Sequence, residues 1–287
     1  MKKISLFMML TWGALAVQSQ TLWKITPKGG DKPSYILLTG PACTSSMNLT
    51  PGMKTALAQV SAVAMDYNLY DNKDATKWQA YSFPAVDSQR INNNLSAGEI
   101  QTFNTILKNN GLPDQMVQQF DGFRVEMVYY LLLMLNSPCG TLTQLPSYET
   151  VLRPYAKKNN LDYLVLQPTD DYLAEDSRRS NGYWQQNIRY MLNNEDEIKG
   201  KLQTEEKLYE QSNLAGLKDL YTRDKLYQLR TGDAITRQHI PFLAGKIADQ
   251  IKQRPTFIAV QYNNVVGANP SLFDELEAKG FNITSVE

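Results

Sequence analysis

The chain carries one histidine, His239, and two cysteines, Cys43 and Cys139. That inventory bounds its chemistry before any pattern is sought. A metal site built on several histidines, or an acid/base mechanism using two imidazoles, is excluded. His239 precedes Ile240-Pro241 and reads as a surface or capping histidine. Asp66 follows the apolar residues 62–65 and has two readings. It can line a cleft, or it can be a strand-end carboxylate that accepts backbone N–H bonds. Asn263-Asn264 can hold a polar ligand through its amides, or simply form a turn. Asp170-Asp171 reads as a solvated loop rather than a metal pair. Ser45-Ser46 comes with no G-x-S-x-G and no histidine motif, so a serine hydrolase is not expected. Arg178-Arg179 is too short for a basic patch. The tyrosines between Tyr172 and Tyr227 recur at helical spacing, which core packing explains; a sugar-stacking surface is the alternative.

The elements that must position these residues are clearest at the two ends of the chain. Thr256 to Val260 is an apolar run of β-formers, followed by a polar loop, Gln261 to Asn269. A helix is predicted next, with Asn269 as N-cap and Pro270 at its first position, and Ser271 and Asp274 in the first turn. Leu272, Phe273 and Leu276 give it an apolar face. Gly280 ends it, and Phe281 to Val286 alternates as a strand. The N-terminal end repeats this order. Leu22 to Thr26 and Ser34 to Thr39 read as strands, Pro51 opens a helix, and Ala62 to Leu69 returns as a strand. The two ends are therefore expected to be pseudo-equivalent strand-loop-helix-strand units in one sheet. Their loops would then share the edge where α/β proteins place chemistry.

Between them the chain is mostly helical. A strand is predicted near Lys77 to Phe83. Ser96 and Glu99 form a capping box for a helix closed by Gly111. Pro113 starts another helix to about Phe120. Val125 to Leu135 is a buried apolar segment, Ser147 to Lys158 a helix, and Leu161 to Leu166 a buried strand. Tyr172 to Arg230 and Thr236 to Gln253 are helical. The expected fold class is α+β. It has a single mixed sheet in one domain, residues 20–287, with helical insertions at about 95–158 and 172–253.

Hydrophobic residues make up 43% of the chain and charged residues 20%, enough for a real core. Formal net charge is zero, so nothing pulls the whole chain toward nucleic acid or anionic lipid. Residues 1–19 read as an export signal, with Lys2 and Lys3 ahead of the apolar run Ile4 to Val17 and small residues after it. No other run is long and apolar enough to span a bilayer. An exported chain with a cysteine pair favours a disulfide between Cys43 and Cys139.

Several segments resemble the TraB/GumN family, of the erythromycin-esterase/ChaN-like fold. They are LWKI, KPSYILLTG, PGMKTALAQV and VAMDYNL at the N-terminal end, and FIAVQYNNVVGANPSLFDELEAKGFNITSVE at the C-terminal end. SYETVLRPYAKKNNLDYLVLQP and YEQSNLAGL resemble the middle of the family less closely. The resemblance implies a metal-dependent peptidase or hydrolase, but the family's motif positions are altered here. Its first histidine falls on Pro41, and its C-terminal histidine on Asn264, beside Asn263. Its paired acids fall on Asp66 and Asn68, and its Leu-Glu-Thr glutamate on Gln167. Its Arg-Asn pair falls near Arg237-Gln238, or on His239 in another register. The expectation is a chain with no catalytic residues, no metal ligands and no cofactor at these positions. It would be exported to the periplasm or beyond, binding a peptide or another envelope component rather than nucleic acid. Two alternatives remain: an active metal-dependent hydrolase with substituted ligands, and a carbohydrate-associated envelope protein.

Overall fold

The computed structural model describes residues 21–30, 32–40, 47–67, 74–138, 147–231 and 233–286. Its centre is a six-stranded mixed sheet. The strands are β1 (Leu22–Pro27), β2 (Ser34–Thr39), β3 (Ala62–Met65), β4 (Asp162–Val165), β5 (Thr256–Gln261) and β6 (Phe281–Ser285), in the order β4-β3-β5-β2-β1-β6. β2, β3, β4 and β5 run parallel, and β1 runs antiparallel to both β2 and β6. The sequence explains which strands are central. SYILLT and TFIAVQ are buried on both faces except at their last residue, as strands covered on both sides must be. β1 and β6 alternate or are partly exposed, as outer strands are.

The two terminal units do share the sheet, but they interlock rather than lie side by side. From β2 the chain passes through α1 (Pro51–Leu57) to β3, crossing β5. From β5 it passes to β6 in the opposite direction, crossing β2 and β1. Neighbouring parallel strands whose connections leave in opposite directions open a crevice at their C-terminal ends. That crevice lies between β2 and β5, and Asp66 and the turn after β4 are on the same edge.

Thr50 caps α1, accepting from the Met53 amide, and Pro51 stands at its first position. The helices that follow are α2 (Ala75–Ser82), α3 (Ala97–Asn109), α4 (Asp114–Gln119), α5 (Val125–Asn136), α6 (Glu149–Lys158), α7 (Thr169–Asp176), α8 (Asn181–Asn193), α9 (Glu195–Glu210), α10 (Leu214–Arg223), α11 (Lys225–Thr231), α12 (Ala234–Gln253), α13 (Asn263–Val266) and α14 (Leu272–Ala278). The capping box of Ser96 and Glu99 is formed at α3, and Gly111 follows that helix at φ +85°.

Three local expectations are corrected. The strand predicted near Lys77 to Phe83 is α2. Trp78 and Tyr81, three apart, lie on one helical face with Tyr81 buried, while Lys77 points to Asp74 and Asp170. The last helix is capped by Ser271, not Asn269. Ser271 Oγ accepts the Asp274 amide at 3.2 Å, and Asp274 accepts the Ser271 amide at 2.8 Å, a reciprocal pair. The stretch after β5 is not all loop, because residues 263–266 turn into α13.

Candidate functional site

Asp66 stands one residue beyond β3, and the backbone around it is fully latched. Its N–H donates to the Ala259 carbonyl at 3.0 Å, and its carbonyl accepts from the Gln167 amide at 2.8 Å. Its carboxylate is committed too: Oδ1 accepts from the Tyr67 amide at 2.9 Å and Oδ2 from the Gln261 amide at 3.0 Å. Burial pushes the Asp66 carboxyl up to about 6; these amide bonds and the charge of His239 pull the other way. Asp66 is therefore both a strand-end carboxylate holding backbone N–H groups and a neighbour of the cleft.

Gln167 follows β4 and is buried. Its Nε2 donates to Glu175 Oε2 at 2.9 Å, and the same oxygen meets His239 Nδ1 at 3.0 Å. Burial pushes Glu175 up, but the hydrogen bonds and charge of His239 and the Gln167 amide outweigh it and hold the carboxyl below its ordinary range. His239 is thus not a surface or capping residue. It sits on α12 with its side chain 15% exposed, tied to α7. Glu175 gave no signal in sequence, where it is one of several acids between 170 and 176.

On the other side of the crevice, Tyr262 sets the position of α13. Its N–H donates to the Thr39 carbonyl at 2.9 Å, joining the ends of β2 and β5. Its hydroxyl meets Glu205 and lies 3.0 Å from the Tyr221 hydroxyl. Glu205 is 2% exposed and also accepts from Tyr221 at 2.8 Å and Tyr227 at 3.0 Å, with Arg230 at 3.5 Å. Asn264 is buried on α13, and Asn263 Oδ1 is buried with no hydrogen-bond partner among the described residues. The tyrosines of this region are core and network residues: Tyr209, Tyr221 and Tyr227 are buried.

Gly40 shows how tightly this end is built. The Tyr209 hydroxyl donates to the Leu38 carbonyl at 2.9 Å, and its ring lies against Gly40. A Cβ at Gly40 would fall 2.4 Å from Tyr209 Cδ2. Gly40→Ala should therefore displace a buried ring and lower stability by about 1–3 kcal/mol, read from urea unfolding. An unchanged midpoint would show that the ring moves freely.

The structure brings Asp66, Gln167, Asn263 and Asn264 to one edge of the sheet. Pro41 and Asn68, Cys43 and Cys139, Ser45-Ser46 and the leader at 1–19 lie outside the described residues. Asp170 pairs with Lys77 at 2.7 Å, while Asp171 opens onto a cavity, so the two do not act as a pair. Arg179 turns inward to Asp176 at 2.8 Å, and Arg178 bonds Gln238.

This donor set does not fit a divalent ion. Asp66 has each oxygen taken by a backbone amide, and Gln167 and Asn264 offer neutral carbonyls, with the Gln167 amide already bound to Glu175. Hard and borderline divalent ions need carboxylates or imidazoles free to turn toward them. Among the described residues, no group of three or more His, Cys, Asp or Glu could hold a metal.

Compared with known proteins, the chain is matched over residues 21–285 by the model of the TraB/PrgY/gumN family. No curated protein and no solved structure matches it.

Proposed function

Starting from the TraB/PrgY/gumN family, to which this chain belongs, we propose an exported member that uses the crevice at its sheet edge to bind a peptide or another envelope component, without metal-activated hydrolysis. The observation that carries this reading is the state of Asp66. It is the acid retained at a motif position among the described residues, and both its oxygens are spent on backbone N–H groups. A ligand that recruited it would have to break its bond to the Tyr67 amide or the one to the Gln261 amide, which ties the end of β3 to β5.

The decisive experiment is metal analysis of protein purified without chelator, with peptide hydrolysis measured with and without added manganese, cobalt or zinc. The expected result is less than one tenth of an equivalent of metal per chain and no metal-stimulated rate. One tightly bound ion per chain, or a chelator-sensitive rate abolished by Asp66→Ala, would overturn the reading. The second reading, a hydrolase with substituted ligands, draws on the placing of His239 and Glu175 beside Asp66, and the same experiment decides it. The carbohydrate reading draws less support, because Tyr209, Tyr221 and Tyr227 are buried and Tyr172, Tyr183 and Tyr190 are only partly exposed.

Export rests on the leader pattern of residues 1–19. Among the described residues, no helix is long and apolar enough to cross a membrane. The Cys43–Cys139 disulfide belongs to the same proposal. The intact mass of the unreduced protein recovered outside the cytoplasm should lack the leader and be lower by two hydrogens than the reduced form. A full-length mass, or two alkylated thiols, would contradict it.

A further inference from the structure

Beside the crevice, α7 and α12 face each other across a cavity of about 370 Å³. Its lining has a regular pattern. Asp171, Ala174, Glu175 and Arg178 come from α7 and the turn after it; Ile235, Gln238, His239 and Phe242 come from α12. Both sets follow the spacing i, i+3, i+4, i+7, so each is one face of a helix. The two helices run antiparallel here, because Arg178 meets Gln238 at 2.5 Å and Glu175 meets His239 at 3.0 Å. The cavity is thus bridged at the Arg178 end by the exposed Arg178–Gln238 pair. One turn further on, Asp171 and Phe242 face the open end.

The open end is chemically lopsided. Asp171 has no hydrogen bond or ion pair with any described residue, nor has Glu175 Oε1. These two carboxylates are acceptors, and His239, held at Nδ1 by Glu175, stands beside them. Beside them the ring of Phe242 is 41% exposed and offers an apolar surface. The nearest cations are turned to other tasks. Arg178 is at the bridged end on Gln238, and Lys246 lies over the Phe242 ring at 5.3 Å.

We propose that this cavity binds a protonated amine flanked by an apolar group, with the amine held by Asp171 and Glu175 Oε1 and the apolar group against Phe242. The N-terminal end of a peptide and the side chain of a lysine both present that chemistry. The inference rests on reading the crevice as a binding site and names what it would select.

Titration calorimetry of the full mature protein at pH 7.5 tests it with three probes: Leu-Ala-Gly amide with a free amine, its N-acetylated form, and N-acetyl-Gly-Lys-Gly amide. The free-amine peptide should bind, and acetylation should weaken it at least about tenfold, since a charge-assisted hydrogen bond is lost. Asp171→Asn and Phe242→Ala should each cause a similar loss. Neither should disturb the fold, because both side chains are exposed at the cavity mouth; an unchanged thermal melt checks this. If the lysine probe binds as well as the free-amine peptide, the amine chemistry stands and its source is a side chain. Equal binding of the acetylated leucine peptide, an Asp171→Asn variant with unchanged affinity, or no binding of any probe at millimolar concentration overturns the inference. Those failures leave the metal analysis untouched, so the two readings fall separately.

Discussion

Glu205→Ala should lower the stability of this protein by about 3–5 kcal/mol, the usual cost of removing one partner of a buried charge pair. The carboxylate is 2% exposed and is the common acceptor for the hydroxyls of Tyr221, Tyr227 and Tyr262, with Arg230 alongside. Its loss leaves three phenols short of an acceptor and a guanidinium short of its counter-charge. Burial and the negative charge of Glu205 together hold the Tyr262 hydroxyl well above its ordinary range, so these phenols remain donors at any working pH. Glu205→Gln, which keeps one acceptor oxygen, should cost less than the alanine variant. Glu197→Ala supplies the contrast: its carboxylate meets Lys201 from an exposed position, so its loss should leave the midpoint near that of the wild type. Urea unfolding of the three variants measures the series. A Glu205→Ala midpoint close to that of Glu197→Ala would refute the network's role. Because Tyr262 begins α13, the same variant should also loosen Asn263 and Asn264, visible as faster amide exchange there.

The second large effect is a pH dependence carried by Asp66. Its carboxyl is raised from 3.8 to about 6 by burial. For an acid, a raised value in the folded state means that folding favours the protonated form. Below pH 3.8 the group is protonated in both states and costs nothing. Between 3.8 and 6 the unfolded chain ionises first, so stability falls as pH rises through that window. Above about 6 the full penalty is present, about 3 kcal/mol at about 1.4 kcal/mol per pH unit. Asp66→Asn removes this titration but replaces one acceptor by a donor, leaving a backbone N–H unpaired at a cost of about 1–3 kcal/mol. The two effects nearly offset at pH 7, whereas at pH 4 the variant should be clearly weaker. The quantity to measure is the wild-type minus variant difference in unfolding free energy. It should change by about 2–2.5 kcal/mol between pH 4 and pH 7. A difference that stays flat would show that Asp66 does not carry this titration.

What could be read from the sequence follows the range of the interactions involved. β2 and β5 announce themselves as continuous apolar runs, and the box of Ser96 and Glu99 is complete within four residues. These features are local, so a sequence holds all their parts. The α2 segment is ambiguous in sequence, because Tyr81 and Phe83 fit a strand's alternation while Trp78 and Tyr81 fit a helix face. The tie is broken by Tyr81, whose hydroxyl reaches Glu126 and Asp176, each at 2.9 Å, from distant helices. His239 carries no local signal for the same reason, since its partner Glu175 lies 64 residues away. Nothing in the run EDEIKGKLQTEEKLYE marks Glu205 as the acid that will be buried. Its three tyrosines come from α10, α11 and the end of β5. Asp66 was half legible: a carboxylate ending an apolar strand suggests backbone N–H partners, while its commitment to Gln261 depends on which strand becomes its neighbour.

The position of β5 has a consequence for how the chain is made. β2 and β3 are not neighbours; each pairs with β5, which enters between them from the far end of the sequence. A chain synthesised from its N-terminus therefore carries two apolar strands with no shared partner until residue 256 has emerged. Closing the sheet needs contacts across more than two hundred residues, such as the Thr39 hydroxyl on the Val260 carbonyl, 221 positions apart. Such long-range parallel pairing is slow. Until it forms, the central sheet stays open between β2 and β3, and it is the arrival of β5 that joins its two halves.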